Sequence, residues 1–175
     1  TVQGVIQEKL SKLLKQKITL IGSGRTDAGV HAIEQSAHFE CKDKISDTSK
    51  FIKSINHFLN NEDIVIIKIK KRNLNFHARF SAKKRIYKYI IFNRTSSPII
   101  DKKRVWHVRK KLDLNLIKKG AKKLIGTKDF STFRAASCNA KTSIRTIDVI
   151  KIKNSKRKIE IEFKSQSFLQ QQVRS

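Results

Sequence analysis

Ile18-Thr19-Leu20-Ile21-Gly22-Ser23-Gly24-Arg25-Thr26-Asp27-Ala28-Gly29-Val30-His31 is the stretch that decides how this chain is read. Its apolar start, Ile18 to Ile21, ends at Gly22 and predicts a short buried strand. The ten residues from Gly22 to His31 hold three of the six glycines in the chain. Glycine allows positive φ and close approach of another molecule, so the loop is built to present its one acidic residue, Asp27. Upstream, Val2, Ile6, Leu10, Leu13 and Leu14 recur at helical spacing and predict an amphipathic helix over residues 2–16. Downstream, Glu34 to Cys41 reads as a strand, and Phe51, Ile52, Ile55 and Leu59 as a second helix. Ile64 to Lys70 and Arg85 to Asn93 read as strands, the latter with Ile86, Ile90 and Phe92 on one face and Tyr87, Tyr89 and Ile91 on the other. A short strand near Val105 to Val108 precedes a helix over 114–125, with Asp113 as N-cap and Gly126 as stop. Residues 145–152 and 159–164 alternate like a hairpin around Asn154-Ser155-Lys156. This order predicts an α+β protein with antiparallel or mixed sheets backed by helices.

Composition narrows the function. Forty Lys+Arg against 14 Asp+Glu give a net charge of +26 in 175 residues, the balance of a protein that meets polyanions. An apolar fraction of 38% with ten Phe supports one core or two small lobes and rules out disorder along the whole length. No apolar run approaches the length of a membrane span, which points to a soluble chain. Cys41 and Cys138 lie far apart with no ligand-type spacing around them, against a zinc site or a disulfide framework and in favour of a reducing cytoplasm. The chain contains no Met and opens inside a helical pattern. It also stops at Ser175 within the amphipathic pattern Phe168 to Arg174, so it reads as a fragment lacking both ends.

The glycine loop fails as a phosphate loop. Gly24 and Gly29 have the spacing of a P-loop, but Val30-His31 stand where Lys and Ser or Thr would have to be. Asp27 occupies the third glycine position of a dinucleotide fingerprint, where it would repel a pyrophosphate. Asp also caps turns. Here, however, a carboxylate in a strongly cationic protein weakens phosphate binding, so its presence beside Arg25 in a glycine-bounded loop shifts the balance from a turn cap towards a functional role. With an ordinary pKa of about 3.9 it is ionised at pH 7 without help. Arg25 matters once a bound base excludes water and desolvation favours the neutral acid.

Gly24-Arg25-Thr26-Asp27-Ala28-Gly29-Val30-His31-Ala32 resembles the signature of the TruA-type tRNA pseudouridine synthases. Four further stretches resemble that family in the same order: Phe76-His77-Ala78-Arg79-Phe80-Ser81-Ala82, then Arg85-Ile86-Tyr87-Lys88-Tyr89, then Gly126 to Arg134 with Asp129-Phe130 and Phe133, then Phe168 to Arg174. The resemblance runs almost end to end. It implies the pseudouridine synthase fold, with two lobes and an active-site cleft between them, here an N-terminal lobe over 1–95 and a C-terminal lobe over 96–175. It further implies isomerisation of uridine to pseudouridine at nucleotides 38 to 40 of the tRNA anticodon arm, without cofactor or metal, by a homodimer. By the same resemblance Asp27 is the nucleophile, attacking either C6 of the uracil or C1′ of the ribose. Tyr87 is the active-site tyrosine placed to stack on the flipped base. Arg25 fills the space the nucleotide vacates. Arg174 is the arginine that pairs with the catalytic carboxylate, although Gln170-Gln171-Gln172 stand where the family shows two His and a Met.

The other polar residues read more plainly. His31 follows Asp27 at helical spacing but has no third ligand nearby, and reads as a hydrogen-bonding loop residue. His38, His57, His77 and His107 form no constellation in the sequence. Lys68-Ile69-Lys70-Lys71-Arg72 and Lys102-Lys103-Arg104 are expected to border an RNA groove. The competing reading is a non-catalytic basic RNA-binding or ribosome-associated protein, for which the charge alone would suffice.

Overall fold

The computed structural model describes all residues, 1–175. The chain divides into two units, Thr1–Ala28 with Ala32–Ala82, and Gly29–His31 with Lys83–Ser175. The division falls at 82/83 and not at the 95/96 boundary expected from the sequence, because strand Arg85–Asn93 pairs with strands that come after it. No helix is long and apolar enough to cross a membrane.

In the first unit, helix α1 (Val2–Leu14) starts at Thr1, whose hydroxyl accepts from the Gly4 N–H. It ends at Lys15, in left-handed conformation with φ 51°. Strand β1 (Ile21–Gly22) pairs antiparallel with β2 (Ala37–His38), and α2 (Thr48–Phe58) is capped by the Asp47 carboxylate accepting from Lys50 N–H. Leu10, Ile18, Leu20, Ile55 and Leu59 form its core, with Phe39, Phe51, Ile64 and Ile66 packed around them.

Of the strand expected over 18–21 only Ile21 enters a ladder, and the strand expected over 64–70 enters none, with helix side chains beside both. Along residues 17–20, helix side chains take the backbone groups that a neighbouring strand would take. Gln7 Oε1 accepts from Leu20 N–H at 3.0 Å, Gln3 Nε2 donates to Leu20 O at 2.6 Å, and Ser11 Oγ accepts from Ile18 N–H at 3.1 Å. Along residues 64–70, Asn56 of α2 grips Ile66, donating to its carbonyl at 3.0 Å and accepting from its N–H at 2.7 Å. Burial still alternates there, with Ile64 and Ile66 packed on the core and Val65 and Ile67 exposed. Helix amides thus satisfy the backbone of Leu20 and Ile66 without a β partner.

The second unit is one five-stranded sheet. Its strands are β3 (Arg85–Asn93), β4 (Trp106–Val108), β5 (Gly126–Asp129), β6 (Ile144–Ser155) and β7 (Lys158–Ser165), in the order β4-β3-β7-β6-β5. Only the β3–β4 pair is parallel, so the sheet is mixed. Helix α3 (Leu114–Leu124) carries the expected Asp113 cap, and Gly126 turns the chain at φ 97° into β5. Phe130, Ile147 and Leu169 form the core beneath it, joined by Leu124, Phe133 and Phe168. The α+β class expected from the sequence is the class observed.

Candidate active site

Asp27 lies five residues beyond the end of β1, partly buried, in a loop fixed at its base. Beyond the β1–β2 ladder, Ser23 N–H donates to Ser36 O at 2.8 Å, and Gln35 Nε2 donates to Gly24 O at 2.7 Å. Gly29 closes the turn after Asp27 at φ 81°, a conformation that L side chains rarely adopt. Arg25 and Asp27 therefore share one braced loop, with Arg25 exposed. A short apolar strand delivers the chain, glycines turn it, and the polar residues between are held out from the core.

The second family-like loop of this unit hangs on the strand that braces the first. His38 of β2 accepts at Nδ1 from Ala78 N–H at 3.1 Å, and Ala78 is buried. His77 folds the loop on itself: its carbonyl accepts from Ser81 N–H at 2.7 Å, its own N–H donates to Ser81 Oγ at 3.1 Å, and its Nδ1 accepts from Arg79 N–H at 3.2 Å. The His38 and His77 rings meet edge-on at 4.8 Å. The two histidines thus act as structural ties of this loop, in keeping with the plain reading of them. Forty residues separate His38 from Ala78, and such a pairing leaves no local signal. Both Nδ1 atoms accept backbone N–H groups, which sets the proton of each neutral ring on Nε2. The basic run before this loop is exposed at Lys68, Lys70, Lys71 and Arg72, and the Arg72 guanidinium lies 5.6 Å from the Phe76 ring centroid.

The second unit gathers the remaining motifs. Tyr87 sits on β3 opposite Phe163, half-buried, with its ring edge-on to Phe168 at 5.1 Å and 86°. Arg85, two residues earlier, donates through its guanidinium to Gln166 O. Phe168 opens the segment that ends in Arg174, so the stretch around Tyr87 and the stretch around Arg174 are packed together. That segment is a series of turns, with Leu169 in the core and Arg174 exposed. Gln172, buried, accepts at Oε1 from Leu169 N–H at 2.7 Å, and Gln171 takes φ 63°. Within the run Gln170-Gln171-Gln172, one glutamine closes the turn from inside. Ala135 N–H donates to Gln170 O at 3.1 Å, tying in the stretch after Phe133. Asp129 begins that stretch, and hydrogen bonds from the Ser143 hydroxyl and then the Ser131 N–H hold its carboxyl below the usual carboxylate range.

Arg25 and Asp27 thus belong to the first unit, and Tyr87 and Arg174 to the second. A family described as tRNA pseudouridine synthase matches residues 1–81 and 121–175. The chain is 66% identical over 175 residues to tRNA pseudouridine synthase A of Pelagibacter ubique (strain HTCC1062), covering 100% of this chain and 71% of that protein. It is 42% identical over 175 residues to the protein of the same name from Anaplasma phagocytophilum (strain HZ), covering 99% of this chain and 70% of the relative. The corresponding protein of Caulobacter vibrioides (strain NA1000 / CB15N) is 38% identical over 175 residues, which span all of this chain and 70% of the relative. With the family matched on both sides of residues 82–120 and relatives aligned along the full chain, this protein belongs to the tRNA pseudouridine synthase family.

Proposed function

We propose that this chain isomerises uridine to pseudouridine at nucleotides 38 to 40 of the tRNA anticodon arm, with Asp27 as the nucleophile. The observation that carries this reading is the setting of Asp27: a partly buried carboxylate in a loop braced by Gln35 and Ser36, inside a chain of net charge +26 that belongs to this family. The Asp27 carboxylate forms a bond to C6 of the uracil or to C1′ of the ribose. The N1–C1′ bond breaks with its electron pair going to nitrogen, the base turns, and a C5–C1′ bond forms. The bond to Asp27 breaks to restore the carboxylate, as the C5–C1′ bond forms when the adduct is at C1′ and after it forms when the adduct is at C6; the C5 proton leaves and N1 takes a proton. Substrate and product have the same composition, so no oxidant or co-reactant enters. Covalent catalysis divides one difficult bond exchange into easier steps.

In this reading Tyr87 stacks on the everted uracil, Arg25 takes the place the nucleotide leaves, and Arg174 supplies the positive charge that keeps the carboxylate ionised once water is excluded. The active form is a homodimer in the cytoplasm, where its tRNA substrate is found. The test uses tRNA tritiated at uracil C5. The protein releases tritium from wild-type tRNA, and release ceases when uridines 38 to 40 are replaced by cytidine. Release that persists on the replaced tRNA overturns the assignment to the anticodon arm, and no release from any tRNA overturns the activity. Light scattering at twice the chain mass supports the dimer, and a monomer that is fully active refutes it.

A further inference from the structure

The sheet face that carries Tyr87 runs to an exposed indole at the edge of the second unit. Tyr87, Tyr89 and Ile91 alternate onto one face of β3, and Trp106 of β4 stands directly beside Ile91, which puts it on the same face. Four residues of strand, roughly 13 Å, separate Tyr87 from Ile91. Tyr89 lies between them and meets Trp106 edge-on at 6.2 Å and 73°. Trp106 nevertheless remains 56% exposed, although large aromatic side chains are usually drawn into a core.

The surroundings of Trp106 are cationic on both sides. Lys102, Lys103 and Arg104 precede it and Arg109, Lys110 and Lys111 follow it, all exposed. The two acidic residues bordering this stretch are engaged elsewhere. Asp101 pairs with Lys158 at 2.6 Å, and Asp113 caps α3 by accepting from the Asn115 and Leu116 N–H groups. The backbone that follows Trp106 is tied down by side-chain hydrogen bonds. Asn93 donates to Val108 O at 2.8 Å and to Lys110 O at 2.7 Å and accepts from Leu112 N–H at 3.1 Å, while His107 Nε2 lies 2.9 Å from Arg94 O. An exposed aromatic ring between exposed cations is the arrangement that binds single-stranded nucleic acid, in which bases stack and phosphates meet positive charge. A second copy of the chain fits poorly here, since it would bring two such cationic edges together. The stretch lies in residues 82–120, between the two segments that the family matches.

We infer that Trp106 and the cations flanking it form an RNA-contacting surface at which an unpaired base of the tRNA stacks on the indole while neighbouring phosphates meet the cations. This rests on the proposed reading in taking tRNA as the ligand, but it does not depend on Asp27. Trp106 is the only tryptophan in the chain, so its fluorescence reports on this surface alone. Titration of the protein with unmodified tRNA quenches the emission, with the same midpoint as the anisotropy of end-labelled tRNA. Trp106→Leu weakens tRNA binding about fivefold or more, and Trp106→Phe, which keeps a ring, weakens it less. Lys110→Ala with Lys111→Ala, which leaves the Trp106–Tyr89 packing in place, weakens binding and lowers its salt dependence. Binding by anisotropy with unchanged emission overturns the surface. Emission that responds to protein concentration and not to RNA overturns it in favour of self-association. If tRNA does not bind at all, the functional reading fails and this surface with it; if binding and quenching survive in Asp27→Asn, the surface stands whatever the fate of the nucleophile.

Discussion

Gly29 and Gly120 allow one substitution to be tested in two backbone settings with opposite expected signs. At both positions an added Cβ would meet nothing within 4 Å, so crowding plays no part. Gly120 lies inside α3 with ordinary helical geometry, and Gly120→Ala is expected to stabilise the chain by about 0.5–1 kcal/mol by restricting the unfolded backbone. That corresponds to a rise of roughly 1–4 °C in the Tm of a protein this size. Gly29 has φ 81°, and a residue with a side chain there is strained by about 1–2 kcal/mol. The Asp27 loop can relieve that strain locally by leaving its conformation, so Tm moves little while the competent population of the loop falls. A penalty of that size lowers kcat/KM by up to about 5–30-fold, at roughly tenfold per 1.4 kcal/mol. The assay is tritium release from tRNA labelled at uracil C5, run beside thermal unfolding of both variants. Gly29→Ala within twofold of wild type would show that the turn after Asp27 does not hold the carboxylate.

Asn56→Leu removes both hydrogen bonds to Ile66, and the first unit should lose about 1–3 kcal/mol in denaturant unfolding, since two net bonds are lost and the Ile66 amide and carbonyl are stranded. A loss below about 0.5 kcal/mol would mean that water replaces the side chain at no cost. Association with tRNA should weaken steeply with salt, with a log–log slope of several units, and a flat response would remove the role given to the lysines and arginines. The Asp129 carboxyl, held low by the Ser143 hydroxyl and the Ser131 N–H, adds stability above its unfolded value of about 3.9, and that contribution is lost as pH falls through the lower folded value. Acid unfolding of Asp129→Asn should therefore be flatter than wild type below about pH 4, and identical profiles would refute the coupling.

What the sequence disclosed depended on how local the signal was. Helices α1, α2 and α3 follow from apolar spacing and side-chain caps, and the hairpin of β6 and β7 from alternation around a short polar turn. Strands fared worse where a helix amide took the place of a strand partner. Residues 18–20 and 64–70 lie outside any ladder, yet Gln3 and Gln7 satisfy the backbone of Leu20 and Asn56 that of Ile66, and no pattern within those residues announces it. The parallel pairing of β4 with β3, and with it the place of Trp106 beside Ile91, is likewise a property of the chain path and not of either segment. In the candidate site, the Asp27 loop stood out through its glycines and its one carboxylate. The bracing by Gln35, the His38–Ala78 bond and the contact of Phe168 with Tyr87 join distant positions and became visible only in the folded chain.

The most direct test of the account is Asp27→Asn, which keeps the size of the side chain and removes its charge and nucleophilicity. With uracil-labelled tRNA, the variant releases no tritium under conditions where wild type goes to completion, and its tRNA affinity is at least equal to that of wild type, because a negative charge has left an RNA-binding surface. Tritium release by the variant at a rate comparable to wild type would mean that Asp27 is not the nucleophile.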